Sequence, residues 1–149
     1  MPFPYKRILC PVDFDQYSTE ALKEAAALAL SSAGMVHVLH VVQATLLLDE
    51  GATGGFAVGL GEMYEPKIEI ARRQLEQMLT TMPPGVKREV MIEIGEPADS
   101  ILNAQTKLGA DLVVMATHGR KGLKHLVLGS VAERVVRESR VPVLTVRPS

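Results

Sequence analysis

Short apolar runs alternate along the chain with longer segments in which apolar residues recur every three or four positions. The short runs predict five strands, at residues 7–11, 36–42, 86–94, 112–116 and 143–147. The periodic segments predict four helices, at residues 18–32, 65–82, 97–108 and 130–139. A regular alternation of strands and helices indicates an α/β fold with a mainly parallel sheet. The near-continuous apolar character of residues 36–42 indicates that helices cover both faces of that sheet.

Residues that start or stop helices mark the boundaries between these segments. Ser18 stands before the first helical stripe, where its hydroxyl can cap the first turn. Gly34 and Gly109 follow the first and third helical stripes, and glycine commonly ends a helix. Residues 83–85, Pro-Pro-Gly, end the second helix. The third strand alternates apolar and charged residues, which is typical of the edge of a sheet.

A long segment, residues 43–63, matches neither pattern. Its glycines are Gly51, Gly54, Gly55, Gly59 and Gly61. The segment leaves the carboxyl end of the second strand, which is the side where doubly wound sheets bind ligands. Loops of this length are usually functional or mobile. For the glycine-rich part, residues 51–61, a lid or partner loop and a disordered segment both remain open.

Composition and charge narrow the class of protein. A chain of 149 residues with 47% hydrophobic and 22% charged residues is typical of one globular domain, which we expect to span residues 1–149. The net charge of −1 argues against nucleic acid as a partner. The charge is uneven, since residues 119–149 carry seven Lys or Arg and two Glu. This basic quarter of the chain suits a small anionic ligand.

The single cysteine, the first residues and the length of the apolar runs bear on where the protein works. Cys10 has no partner for an internal disulfide and lies in an apolar strand, where we expect a buried, unreactive thiol. The first seven residues lack the apolar core of a signal peptide. No apolar run reaches the length that spans a membrane. We therefore expect a cytoplasmic protein with no membrane partner.

The most informative stretch, residues 115–130, lies between the fourth predicted strand and the last predicted helix. Gly119 and Gly129 permit close approach of the main chain, and Ser130 can cap the helix or donate to a phosphate oxygen. A helix N-terminus favours a phosphate here, because its N–H groups and its dipole both attract an anion. Three cations follow: Arg120, Lys121 and Lys124. A plain strand–loop–helix connection with a Ser cap and a solvated basic loop explains the same residues, and both interpretations stay open.

The spacing in this stretch resembles a nucleotide-binding motif. In ATP-binding members of the universal stress protein family the motif reads Gly, two residues, Gly, nine residues, Gly, then Ser or Thr. Gly119, the nine residues after it, and the pair Gly129 and Ser130 match this motif. Ala116 replaces its first glycine. The family's first, second and last strands resemble three further segments in the same order, residues 8–13, 39–42 and 142–146.

The resemblance implies a Rossmann-like, doubly wound fold of five parallel strands in the order 3-2-1-4-5, with helices on both faces. The crevice between strands one and four would hold an adenine nucleotide, with ATP as the cofactor and Mg²⁺ or Mn²⁺ bound through its phosphates. The implied binding residues are Pro11, Val12, Asp13, Val41, Met115, Ala116, His118, Gly119, Gly129, Ser130 and Val131. The resemblance also implies a homodimer that pairs through the strand-five edge, where Val143 and Thr145 lie.

Two of these residues admit a second interpretation. Asp13 follows the first strand directly, where a carboxylate can accept from ribose hydroxyls or from the adenine amino group, or can serve in a turn. The resemblance favours the adenosine contact. Ala116 adds a methyl group where the motif has none. With a negative φ the alanine costs little, whereas a positive φ or direct packing of ribose there would weaken binding.

The residues show no efficient catalytic apparatus. The P-loop signature is absent, and Ser130 fails the Gly-x-Ser-x-Gly motif because Ala132 takes the place of its second glycine. No carboxylates stand out as an acid–base couple, and the histidines lack zinc-ligand spacing. Any ATP hydrolysis should be slow. We expect an ATP-binding universal stress protein that acts as a nucleotide-dependent regulatory or stress-response module. The alternatives are a dimeric interaction or signalling module of the same fold without nucleotide, and a nucleotide-cleaving enzyme.

Overall fold

The computed structural model describes residues 3–44, 60–117 and 128–147, with side chains from residue 64 onward in the middle range. Strands and helices alternate as β1 (Arg7–Pro11), α1 (Gln16–Ser32), β2 (Met35–Gln43), α2 (Leu60–Leu79), β3 (Lys87–Gly95), α3 (Pro97–Leu108), β4 (Leu112–Ala116), α4 (Ser130–Glu138) and β5 (Val143–Val146). The predicted site residues His118 and Gly119, the three cations after them, and the glycine-rich segment up to residue 59 lie outside the described residues.

The five strands form one parallel sheet in the order β3-β2-β1-β4-β5. β1 lies at its centre and pairs with β2 on one side and β4 on the other. β3 and β5 form the two edges. The strand order changes direction between β1 and β4, so the connections that follow these two strands go to opposite faces of the sheet. A crevice therefore opens at their carboxyl ends. The predicted fold class and strand order are confirmed.

Two hydrophobic cores cover the faces of the sheet, because consecutive residues of a strand point to opposite faces. Under α1 and α2 the strands bury Ile8, Cys10, Val36, Val38, Leu112 and Val114. Under α3 and α4 they bury Leu9, Leu39, Val113 and Met115. Burial of both sets explains why the central strands are apolar at nearly every position.

The start of α1 differs from the prediction. Asp15 caps the helix, and its carboxylate accepts from the N–H of Ser18 at 2.8 Å. The hydroxyl of Ser18 accepts instead from the N–H of Asp13 at 2.8 Å. The prediction that Ser18 caps this helix is therefore wrong, since the helix begins at Gln16 and the side chain of Asp15 accepts from the Ser18 N–H.

The end of α1 also differs from the prediction. Ala33, with φ of 52°, takes the left-handed conformation that ends the helix. Gly34 is required for a different reason, because a Cβ atom there would lie 2.7 Å from the carbonyl oxygen of Tyr5. Gly109 ends α3 as predicted, with φ of 61°.

The second helix begins earlier than its apolar stripe indicates. It runs over Leu60–Leu79 rather than residues 65–82, and Pro66 lies inside it. Gly61 and Pro66 are both poor helix formers, which explains why the sequence pattern placed the start too late. Of the helices that the structure describes, none combines the length and the apolar character needed to cross a membrane.

Candidate functional site

A cavity of about 630 Å³ lies at the carboxyl ends of β1, β2 and β4. Its walls include most of the residues that the sequence singled out: Pro11, Val12, Asp13, Val41, Met115, Ala116, Gly129, Ser130 and Val131. The other two, His118 and Gly119, lie outside the described residues. The fold thus brings segments from both ends of the chain to one crevice.

One side of the crevice is the β1 turn, residues 11–15. The N–H of Val12 donates to the carbonyl of Leu39 at 2.8 Å. The carbonyl of Val12 accepts from Nδ1 of His40 at 2.9 Å. One residue later, the N–H of Asp13 donates to the Ser18 hydroxyl. These bonds fix the main chain of the turn, while the exposed side chain of Asp13 lies on the cavity wall.

His40 also lines the cavity, although the sequence alone does not mark it as a candidate. Its imidazole lies against the ring of Phe14, with 4.2 Å between ring centroids and 33° between ring planes. Both side chains line the cavity. The signal in the sequence was a polar residue near the carboxyl end of an otherwise apolar strand, which alone does not distinguish a binding residue from a solvated strand end.

The other side of the crevice is the α4 entry, residues 128–132. Gly129 is the N-cap of α4, with φ of −59° and ψ of 160°, and among the described residues no side chain caps the helix. Ser130 is the first helical residue and its side chain is exposed. The prediction that Ser130 caps α4 is therefore wrong, because the helix begins at that residue rather than after it.

The N–H groups of the α4 entry are not all available to a ligand. The N–H of Gly129 donates to the carbonyl of Thr117 at 2.8 Å. The first bond of the helical ladder runs from the Glu133 N–H to the Gly129 carbonyl at 2.8 Å. The three N–H groups between them, on Ser130, Val131 and Ala132, precede any acceptor within the helix. A ligand that needs hydrogen-bond donors therefore meets these three groups and not that of Gly129.

Ala116 sits at the end of β4 without backbone strain. It pairs in register with Val146, and the next residue, Thr117, donates its N–H to the Val146 carbonyl at 3.1 Å. Ala33 is the one non-glycine residue with a positive φ in the part of the chain that the structure describes, so φ of Ala116 is negative. Its methyl group packs against the core under α1 and α2. The alanine therefore fits this backbone without cost.

A cluster of charges fixes α4 relative to α3. The Arg134 guanidinium lies 3.0 Å from a carboxylate oxygen of Glu96 and 3.4 Å from one of Glu138, and it also pairs with Asp99. The hydrogen bond to Asp99 is the main cause that raises the pKa of Arg134. These groups are largely solvated, so they orient α3 and α4, two helices that line the cavity, more than they stabilise the fold.

The helices α2 and α3 supply wall residues that the sequence did not indicate. These are Lys67, Ile70, Ala71, Gln74, Pro97 and Ile101. Ala71 belongs to the apolar stripe of α2 and is buried, whereas Ile70 lies outside that stripe and is 58% exposed. The orientation of a helix relative to the sheet decides which of its residues reach the crevice. The spacing of apolar residues along the helix does not reveal that orientation.

Cys10 is not among the residues that line the cavity. Burial raises the pKa of the Cys10 thiol to about 12, which keeps it protonated and unreactive as expected. Within residues 3–44, 60–117 and 128–147, no three side chains of His, Cys, Asp or Glu come together to hold a metal ion. Among the described residues the crevice offers main-chain donors, the exposed carboxylate of Asp13, the ammonium group of Lys67 and apolar wall segments, a set that suits a ligand with an anionic end and a flat, apolar end.

Comparison with known sequences identifies relatives over nearly the whole chain. A model of the Universal stress protein family matches residues 4–147. Universal stress protein MJ0531 of Methanocaldococcus jannaschii is 34% identical over 143 residues, which cover 96% of this chain and 82% of that protein. Universal stress protein MJ0577 of the same organism is 30% identical over 158 residues, which cover 99% of this chain and 98% of that protein.

Solved structures share the fold. The structure of MJ0577 has a TM-score of 0.68 at 32% identity and covers 97% of each chain. A universal stress protein in complex with cAMP has a TM-score of 0.67 at 21% identity, over 97% of this chain and 98% of that one. The universal stress protein from Archaeoglobus fulgidus in complex with dAMP has a TM-score of 0.62 at 21% identity, over 96% and 98%.

Proposed function

The chain belongs to the universal stress protein family, and from this premise we propose that its crevice binds an adenine nucleotide, with ATP as the principal ligand, and that the bound protein acts as a regulatory or stress-response module. One observation carries the proposal: residues 11–13, 115–116 and 129–131 line a single cavity. Structural relatives in complex with cAMP and dAMP support the adenine nucleotide as the class of ligand.

The two ends of the nucleotide would meet different groups. Asp13 accepts from ribose hydroxyls, and Val12 and Met115 contact the adenosine through apolar surface. The N–H groups of Ser130 and Val131 donate to phosphate oxygens, and the dipole of α4 favours their negative charge. Gly129 contributes by having no side chain rather than by its N–H, which Thr117 accepts. Mg²⁺ or Mn²⁺ would bind through the phosphates.

The proposal is tested on the purified native protein. The protein is denatured and its extract is analysed for released nucleotide, and apo protein is titrated calorimetrically with ATP, AMP, cAMP and dAMP in the presence of Mg²⁺. We expect ATP to bind with a Kd below about 1 mM, equivalent to about −4 kcal/mol or better. GTP serves as the matched control for the base. No released nucleotide and no heat at millimolar ATP would refute the proposal.

A second candidate is an interaction module of the same fold that binds no nucleotide. Two observations favour it: Ala116 stands in place of the first motif glycine, and the Gly129 N–H is already engaged. Such a module would fail the titration above and still assemble or bind a protein partner.

We also propose a homodimer through the outer edge of β5. The carbonyls of Pro142 and Val146 accept from β4 at 3.0 and 3.1 Å. Since main-chain groups of alternate residues point to opposite sides of a strand, Val143 and Thr145 direct theirs away from β4. This edge offers a ladder to a second copy of the chain.

A further inference from the structure

We propose that His40 is a positioning residue of the crevice: its imidazole ends the ladder between β1 and β2 and so leaves the main chain of Val41 open to the ligand. The identity of that ligand rests on the proposed function above. The role of His40 in the hydrogen bonding between the β1 turn and the end of β2 does not depend on the identity of the ligand.

A side chain takes part in the last hydrogen bonds between β1 and β2. The last pair in register is Pro11 with Leu39, and the Val12 N–H still donates to the Leu39 carbonyl at 2.8 Å. In a continued parallel ladder the Val12 carbonyl would next accept from the N–H of Val41. It accepts instead from Nδ1 of His40 at 2.9 Å. Among the described residues no main-chain N–H donates to that carbonyl. The side chain takes the place of the next ladder donor.

The hydrogen bond from His40 to Val12 affects the main chain of Val41. The carbonyl of Leu39 faces β1, and residues two apart along a strand direct their main-chain groups to the same side. The N–H and C=O of Val41 therefore point to the side where β1 has already ended, and Val41 lines the cavity. A neighbouring donor and acceptor on one strand complement adenine, which carries an amino donor next to a ring-nitrogen acceptor.

The surroundings of His40 fix its orientation and its tautomer. The ring of Phe14 lies against it at 4.2 Å between centroids, and Phe14 itself packs against the core under α1 and α2. A carbonyl oxygen only accepts hydrogen bonds, so Nδ1 must carry the proton in the neutral imidazole. This tautomer is a measurable signature of the bond to Val12.

Two substitutions separate the hydrogen bond from the packing. His40→Phe keeps a ring against Phe14 and removes the donor. His40→Asn places an amide N–H near the position of Nδ1 and removes the ring. We expect calorimetry to show adenosine binding about tenfold weaker in His40→Phe, because the Val12 carbonyl loses its partner, and within about threefold of wild type in His40→Asn. Thermal melts verify that both variants fold. Wild-type affinity in a folded His40→Phe protein would overturn the inference.

Nitrogen-15 NMR of the imidazole tests the same inference without any ligand. We expect the wild type to show the Nδ1–H tautomer of His40, and the Val12 amide to exchange with solvent about tenfold faster in His40→Phe. An Nε2–H tautomer in the wild type would overturn the inference whether or not nucleotide binds. If the wild type binds no adenine nucleotide but gives both NMR results, the proposed function fails and the positioning role of His40 stands.

Discussion

The two sides of the crevice are built by opposite means. In the β1 turn the main chain is engaged: both polar groups of Val12 and the N–H of Asp13 have partners within the protein. In the α4 entry the helix presents N–H groups, on Ser130 and Val131, that it cannot use itself. A ligand meets a fixed surface on one side and, on the other, N–H groups that have no main-chain acceptor among the described residues.

This difference separates two kinds of recognition. The paired main chain of the β1 turn selects by shape and by the carboxylate of Asp13, and the neighbouring strand end adds the main chain of Val41. A helix N-terminus selects by charge, because its dipole and its N–H groups favour an anion whatever that anion is attached to. The β1 turn should therefore set affinity for the nucleoside, and the α4 entry should set affinity for the phosphates.

The largest effect should follow from a negative charge in the α4 entry. Ser130→Asp places a carboxylate at the first residue of α4, where acidic side chains stabilise a helix, so the fold is retained. The carboxylate repels the phosphates, and calorimetry should show ATP binding about 100-fold weaker, about 2.7 kcal/mol. Adenosine should bind within about threefold of wild type, since it carries no charge. Ser130→Ala, which keeps the N–H, is the matched control. Equal losses of affinity for ATP and adenosine would contradict the assignment of the phosphates to the α4 entry.

The next largest effect should come from the β1 turn. Asp13→Asn removes the ionised acceptor for ribose and should weaken adenosine and ATP alike by about tenfold, about 1.4 kcal/mol. Asp15→Asn is the control, because asparagine also caps helices well. A loss confined to ATP would mean that Asp13 acts on the phosphates and not on the nucleoside.

A smaller effect is expected at the end of β4. The φ of Ala116 is negative and its methyl lies against the core, so Ala116→Gly should change ATP affinity by about threefold at most. The free energy of unfolding, measured with urea, should fall by roughly 0.5–1 kcal/mol, because glycine loses more conformational entropy than alanine when the chain folds. A wild type that binds no ATP, together with a glycine variant that does, would instead favour the interaction module.

The smallest effect on affinity should come from the β5 edge. Thr145→Pro removes an N–H that points away from β4, so light scattering should show a weaker dimer, while adenosine affinity stays within about twofold. Thr145→Val keeps the N–H and is the control. A wild type that is monomeric at micromolar concentration would exclude the dimer.

The sequence predicted the sheet better than it predicted the helix ends. The bounds of β1 and β4 match the prediction because both strands are buried on two faces, and burial leaves an uninterrupted apolar run. The ends of α1 depend on competition between neighbouring groups. Asp15 outcompetes Ser18 for the cap, and Ala33 adopts the left-handed conformation one residue before Gly34. Such local competition leaves no periodic signal.

The candidate site also has a part that the sequence predicts and a part that it does not. The residues 11–13 and 115–116 were predictable because a motif and two strand ends marked them, and they lie together on the cavity wall. The engaged N–H of Gly129 and the hydrogen bond of His40 to Val12 were not predictable. Both depend on where two distant segments meet, and only the packed fold determines that.

Amide chemical-shift mapping tests the division of the crevice most directly. Labelled protein is titrated first with adenosine and then, in a second sample, with ATP and Mg²⁺. We predict that adenosine shifts the amides of Val12, Asp13 and Val41, and that ATP shifts these together with Ser130 and Val131. Shifts of Ser130 and Val131 by adenosine equal to those by ATP, or ATP shifts that leave both sides of the crevice unchanged, would contradict the account.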